Sequence, residues 1–470
     1  MSLPRRFVLP VLVLALGGCA PEEAPRGTAI TNVTVIDAVD GARSAQTVVF
    51  DGDEILAVQP ASEPVNAART IDGSDRFLIP GLWDMHVHLT YDDAFTEDMS
   101  ALFLAHGITS VRDTGGLLHK LEPVVQAMRA PDAIAPRVYF SGPLLDGRLV
   151  VYDGVSRPEI GVGNPTPEMA RQSVETLVRA GVDFIKIYEL VSPDVFTALA
   201  GAAEADGLPI AAHVPLSMIA SRAGPQVDSM EHLRNVELDC AANAAELHEE
   251  RLAIIAAYDG GSGYELRSRL HALQRLPAIA AYDAERCARV IDALTSTIQV
   301  PTLRLNTLSL HPTQARRDWD EIVAKLPEGA RSEWQASFED HREQVADGPP
   351  DTTFAAWSLE LTGRLHAAGV PIGAGTDTPI GWALPGFSLH TELERLVEAG
   401  LSPLEAIESA TIRPAEFFSL TSSMGRIAAG MTADLVLLDA NPLEDIRNTR
   451  RVHRVVAAGR VLNPAELLSD

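Results

Sequence analysis

Two histidines one residue apart, His86 and His88, close an apolar run, LWDMHVHL. If that run is a strand, side chains two apart point the same way and the pair forms a two-pronged chelate. Imidazole suits zinc and related divalent ions. Lys186 lies inside a second apolar run, DFIKIYEL. An ammonium buried there must find a carboxylate or become neutral. A neutral amine can react with carbon dioxide to give a carbamate, whose two oxygens can bridge two cations. Three further groups end similar runs: His213 in AAHVP, His232 in SMEHLR and Asp377 in GAGTD. Each alone reads as structural. Six metal-competent groups at the ends of successive runs, in order, point to a metal centre.

The elements that would position them alternate strand-like with helical. Eight strand-like runs can be marked: LWDMHVHL, ITSVRDTG, RVYFSGPLL, DFIKIYEL, PIAAHV, DSMEHL, IQVPTL and PIGAGTD. Between them lie helical stretches such as SVETLVRAG and VFTALAGAAEADG, several ending in glycine as helix C-caps do. The expected class is α/β, a (β/α)8 TIM barrel over 80–419 whose C-terminal strand ends carry the site. A doubly wound open sheet is the alternative, but needs no eighth strand. Residues 28–79 and 420–466 have a β-branched, alternating texture punctuated by Gly and Asp, which predicts a small β-sandwich built from both termini. Two overlong connections, about 240–296 and 313–345, have helical spacing and predict insertions over the barrel mouth.

The chain has 470 residues and a formal net charge of −26, which repels phosphate backbones and argues against nucleic-acid binding. Arg5 and Arg6 precede a short apolar stretch at 7–16 and then Leu16-Gly17-Gly18-Cys19. That stretch is too short to span a bilayer and reads as a signal peptide over 1–18. Cys19 resembles the lipidated cysteine of a bacterial lipobox, with 19–27 as a tether. The expected location is then the periplasmic face of a membrane, held through the N-terminal lipid alone. Ala20, where inner-membrane retention favours aspartate, tips this toward the outer membrane. Cys240 and Cys287 remain, either paired or free. Oligomeric state is left open, with a homo-oligomer compatible.

Over essentially the whole chain beyond the leader, the sequence resembles the amidohydrolase superfamily. The resemblance rests on GLWDMHVHL, Lys186, His213, His232, Asp377 and the terminal block GRIAAGMTADLVLLDANPLEDI. HVP, SMEHL and LHTELERLVEAGLSPLEAIESAT are similar to the imidazolonepropionase-like branch, which includes Xaa-Pro dipeptidases. The resemblance implies two divalent metal ions, zinc foremost, with manganese or cobalt also accommodated. His86, His88 and Asp377 would hold the first, His213 and His232 the second, and carboxylated Lys186 would bridge them. It also implies attack on a carbonyl by a metal-bridging hydroxide, with Asp377 as the catalytic proton carrier.

For substrate contacts the candidates are Tyr188, two residues beyond Lys186, and Arg234, two beyond His232, with Arg148 after the third strand. Each arginine reads equally as a surface ion pair, and His390 reads as a helix-packing residue. The sequence departs from its relatives after the third strand, where SGPLLDGRLVVYDG replaces a histidine- and glycine-rich motif. The expected activity is cleavage of an amide bond in a small molecule, foremost a dipeptide or N-acyl amino acid. Hydrolysis of a cyclic amide or lactone is the alternative reaction. A non-catalytic periplasmic binding lipoprotein is the alternative of another class, and it predicts missing ligand positions.

Overall fold

The computed structural model describes residues 25–155, 157–324, 326–344 and 350–468. The leader, Cys19 and most of the tether lie outside the described residues.

Both termini build one eight-stranded sheet. The N-terminal arm supplies Thr28–Asp37, Gly41–Asp51, Glu54–Pro60, Arg69–Asp72 and Phe77–Pro80. The C-terminal arm supplies Leu435–Leu438, Val452–Ala457 and Arg460–Leu462. The arms join where Leu435–Leu438 runs antiparallel to Phe77–Pro80. Alternation places Val33, Val35, Val48, Phe50, Leu78, Leu435 and Leu437 in one apolar core of its own, apart from the main one.

Between the arms, parallel strands follow the order read from the sequence. Leu82–Val87, Ile108–Asp113 and Arg137–Phe140 form a three-stranded sheet. Ile185–Ile187, Ile210–Ala212, Ser229–Glu231 and Ile298–Val300 pair in sequence within a second sheet. Hydrogen bonds join the two sheets on both sides. Asp183 N donates to Phe140 O at 2.9 Å on one side. On the other, Gly373 N donates to Gln299 O (2.9 Å), Met85 N to Ala374 O (2.9 Å) and Asp377 N to His86 O (2.7 Å). The ring therefore closes, giving a TIM-barrel-type α/β fold.

Two expected strands differ from their sequence reading. The third breaks into Arg137–Phe140 and Leu144–Asp146, because the chain turns at Gly142, whose φ is +74°. The eighth, 371–377, is no regular strand and pairs with its neighbours only through single bridges, Gln299 with Ile372 and Val87 with Thr378. Its backbone lies too close to both neighbours for ordinary side chains. A Cβ on Gly375 would stand 2.8 Å from His86 Cβ and 2.7 Å from Val300 Cγ1.

Local signals set the helices that cover the barrel. Pro167–Ala180 starts where Thr166 accepts from Met169 N, has proline in its first turn, and ends at Gly181 in the left-handed region. The stretch 240–296 is ordered as Ala244–Ala257, Gly263–Ala280 and Ala284–Ala293. Cys240 and Cys287 are joined by a disulfide, which closes that stretch into a loop. The second helical stretch includes Trp319–Ala324 and Glu328–Gln344. It stacks Trp334 near Phe95 and Phe338 on Trp382, beside the connections after the first and eighth strands.

Closure at Gly375 yields a direct expectation. Gly375→Ala forces overpacking between the first and seventh strands and should cost about 1–3 kcal/mol. Thermal unfolding of the purified variant reads it, and an unchanged midpoint would contradict the tight closure described.

Candidate metal centre

The barrel interior is layered. At its base Met85, Phe184, Ala211, Ile298, Val300 and Phe417 form an apolar cluster. Above it lies Arg112, fully buried and stacked 4.5 Å from the Phe417 ring centroid. A buried guanidinium must fill its donors. Arg112 donates to Met85 O (2.6 Å), Ser229 Oγ (2.9 Å) and Glu231 Oε1 (2.8 Å). Glu231 is thereby fixed one layer below the strand ends, and its other oxygen accepts from His86 Nδ1 at 2.6 Å.

Each of the four histidines has its Nδ1 engaged. His88 Nδ1 donates to Gly115 O (3.0 Å), and His213 Nδ1 to Glu189 Oε1 (2.7 Å). His232 Nδ1 pairs with Thr302 Oγ1 at 2.6 Å. This fixes ring orientation and leaves each Nε2 for another partner, the usual arrangement of imidazole ligands. The rings face one another, with centroids 5.4 Å apart for His86 and His88 and 4.7 Å for His213 and His232. Asp377 Oδ1 stands 3.3 Å from His86 Nε2 and 3.2 Å from His88 Nε2. His232 and Asp377 both have left-handed backbones, φ +66° and +62°. Such strain costs roughly 1–3 kcal/mol per residue and gathers at functional sites.

Lys186 completes the group from the fourth strand. It is fully buried, and its Nζ has no hydrogen-bond partner. Burial, with Arg112 adding to it, pulls its pKa down to about 8 against the attraction of Glu231, Asp377 and Glu189. The amine is thus far closer to neutrality than a surface lysine. Burial, helped by Lys186, lowers His213 to about 4, and burial also holds His232 well below the ordinary histidine value. Both are therefore neutral at pH 7, the form that binds metals. For Asp377 burial works the other way, but His232, His86 and the hydrogen bonds from His86 and His88 outweigh it and hold the carboxyl well below its usual range.

All six residues named from the sequence line one small cavity. Tyr188 and Arg234 line it too, as do Leu144, Tyr152 and Ile380. Arg148 does not. It lines a separate cavity with Leu149, Ser192 and Leu266, and its Nη2 reaches Tyr258 O at 3.4 Å. The chain breaks after Phe140, and Arg148 beyond it stands outside the cavity that the six residues line. His390 packs as expected, with Nδ1 on Thr449 Oγ1 (2.9 Å) and Nε2 on His106 O (3.0 Å).

Sequence reasoning passed over Glu231, Glu189, Thr302 and Tyr152. Glu231 directly precedes His232, and Glu189 directly follows Tyr188. That adjacency was the available signal, although an acidic neighbour alone does not reveal which histidine it holds.

Comparison with known proteins follows the same lines. Residues 359–462 match the model of the amidohydrolase family. The ochratoxinase of Aspergillus niger is 24% identical over 447 residues, spanning 86% of this chain and 79% of its own. The imidazolonepropionase of Streptomyces griseus subsp. griseus is 24% identical over 416 residues, spanning 84% and 85%. The solved structure of a Xaa-Pro dipeptidase with methionine in its active site shares the fold, with a TM-score of 0.66 at 20% identity over 93% of this chain and 99% of that one. The resemblance to amidohydrolases read from the sequence is thus found again in the family model and in these relatives, and with the Xaa-Pro dipeptidase the chain shares the fold.

The Glu231–His86 contact sets a test. Glu231→Gln removes the charge that orients His86 and should weaken divalent-ion binding by about 10–100-fold. Competition against a chromophoric chelator measures this, and unchanged affinity would show that His86 is oriented without Glu231.

Proposed function

We propose that this protein is a binuclear metal-dependent hydrolase that cleaves an amide bond in a small molecule, foremost a dipeptide or N-acyl amino acid. One observation carries the reading: four imidazoles, a carboxylate and a partnerless buried lysine converge on one cavity. Among the described residues, His86, His88 and Asp377 also form a cluster whose ligand atoms lie within 4.8 Å of one another. The donor chemistry fits borderline divalent ions, zinc before manganese or cobalt. His86, His88 and Asp377 would hold one ion and His213 and His232 the other, with Lys186 joining them as a carbamate.

Bound there, two divalent ions would supply polarisation of a carbonyl and a lowered pKa for water. The chain's own residues do the remaining work. Asp377 takes a proton at a carboxylate oxygen and returns it to the leaving nitrogen. Its depressed pKa keeps it ionised at neutral pH. Tyr188, which lines the cavity, would orient the carbonyl or carboxylate of the substrate. Arg234, partly exposed and 3.7 Å from Glu189, holds an anionic end. The small volume and buried walls exclude bulk water, which strengthens each of these interactions. The reading includes export, lipidation at Cys19 and anchoring at the periplasmic face, favouring the outer membrane, supported by residues 5–20 alone.

Two experiments test this. Amine release by the soluble form beginning after Cys19, against a panel of dipeptides and N-acyl amino acids, should be positive and chelator-sensitive. Opening of cyclic amides or lactones with no amine released from the panel would overturn the substrate assignment. Asp377→Asn should lower kcat by roughly 10²–10⁴-fold, the usual contribution of a positioned acid–base group. Near-wild-type turnover would remove Asp377 from proton transfer.

A further inference from the structure

The four histidines are not held by the same part of the molecule. His86, His88 and His232 are oriented by Glu231, Gly115 and Thr302, all from the barrel's own strands and loops. Glu231 is in turn secured by Arg112 and Ser229, again barrel residues. His213 differs. Its Nδ1 partner, Glu189, follows the fourth strand, but the groups that hold Glu189 come largely from the helical insertion. Arg267 Nε donates to Glu189 Oε2 at 3.0 Å, and His271 Nε2 lies 3.2 Å from the same oxygen. The two sit four residues apart on Gly263–Ala280, so both project from one helix face.

That helix is fixed where it meets the barrel. Ser262 and Glu265 form a reciprocal capping box at its start. Gly263 is pressed against the loop after the third strand, where a Cβ would fall 2.4 Å from Val150 O. The Cys240–Cys287 disulfide closes the segment that carries it. Glu189 itself is fully buried. Without Arg267, Glu189 loses the donor that fixes its Oε2 and can swing toward Arg234, 3.7 Å from its Oε1. His213 then loses the acceptor that aims its Nε2 into the cavity.

We infer that the helical insertion completes the second half of the metal centre, with Arg267 as a positioning residue that holds His213 through Glu189. The inference rests on the binuclear reading above. It divides the centre unequally: the His86–His88–Asp377 half is set by the barrel, and the His213–His232 half depends on the insertion.

Zinc binding by metal-stripped protein tests it, with equivalents counted by elemental analysis and affinities by chelator competition. The wild type should take up two equivalents. Arg267→Met should keep one tight equivalent and bind the second about 10–100-fold more weakly, as loss of an outer partner of a ligand does. A merely structural arginine would lower the melting temperature and leave the two affinities equal to those of the wild type. That result overturns the inference and leaves the binuclear reading intact. Fewer than two equivalents in the wild type overturns both. If Arg267→Met does not fold, Arg267→Lys is read instead. It keeps the charge but not the planar fork, so second-site affinity should fall several-fold, and an unchanged value overturns the inference.

Discussion

The cavity at the strand ends is organised around a lysine that has no hydrogen-bond partner. Lys186 Nζ is buried among strands, beneath the histidines and above an apolar floor. Barrel interiors of this kind are packed solid, so a polar group inside one is costly unless satisfied. Arg112, Glu231 and Glu189 meet that demand. Arg112 fills its donors with Met85, Ser229 and Glu231, Glu231 is shared by Arg112 and His86, and Glu189 is held by Arg267 and His213. Lys186 Nζ has no such partner, and it stands where the other five candidate ligands converge. A buried amine left in that place suits a partner that the chain does not itself contain.

The layers beneath explain how the arrangement stays in place. The charged layer of Arg112 and Glu231 separates the apolar base from the ligand layer and couples the first, second and sixth strands. Because Arg112 reaches Met85 O, Ser229 Oγ and Glu231 Oε1 at once, shifting any of those strands breaks more than one bond. The left-handed backbones at His232 and Asp377 are held against their intrinsic cost by this framework. Asp377 N, for example, is pinned to His86 O. Rigidity at His86, His88, His232 and Asp377 therefore comes from the barrel, and the chain after the third strand adds Leu144 and Tyr152 to the cavity wall.

Much of this was legible in the residues. The period-two spacing of His86 and His88, and the positions of His213, His232 and Asp377 at the ends of apolar runs, follow from strand geometry alone. The two terminal arms were legible from their alternation, and their meeting in one sheet fits that pattern. Three features were not. The irregular eighth strand reads as ordinary because GAG hides how closely its neighbours approach. Arg148 sits in a loop, SGPLLDGRLVVYDG, whose direction depends on the chain break at Gly142, which no periodicity signals. Arg267 and His271 share one helix face, but a sequence does not say which face of an insertion turns inward. The lipid anchor rests on residues 5–20, outside the described part of the molecule.

The central claim is that this cavity is a two-metal centre bridged by a modified lysine. Anomalous X-ray scattering from crystals grown with zinc, recorded at the zinc edge, tests it most directly. The account predicts two peaks, one among His86, His88 and Asp377 and one between His213 and His232, with density continuing past Lys186 Nζ toward both. A single peak or none, with Lys186 ending as a bare amine, would contradict it.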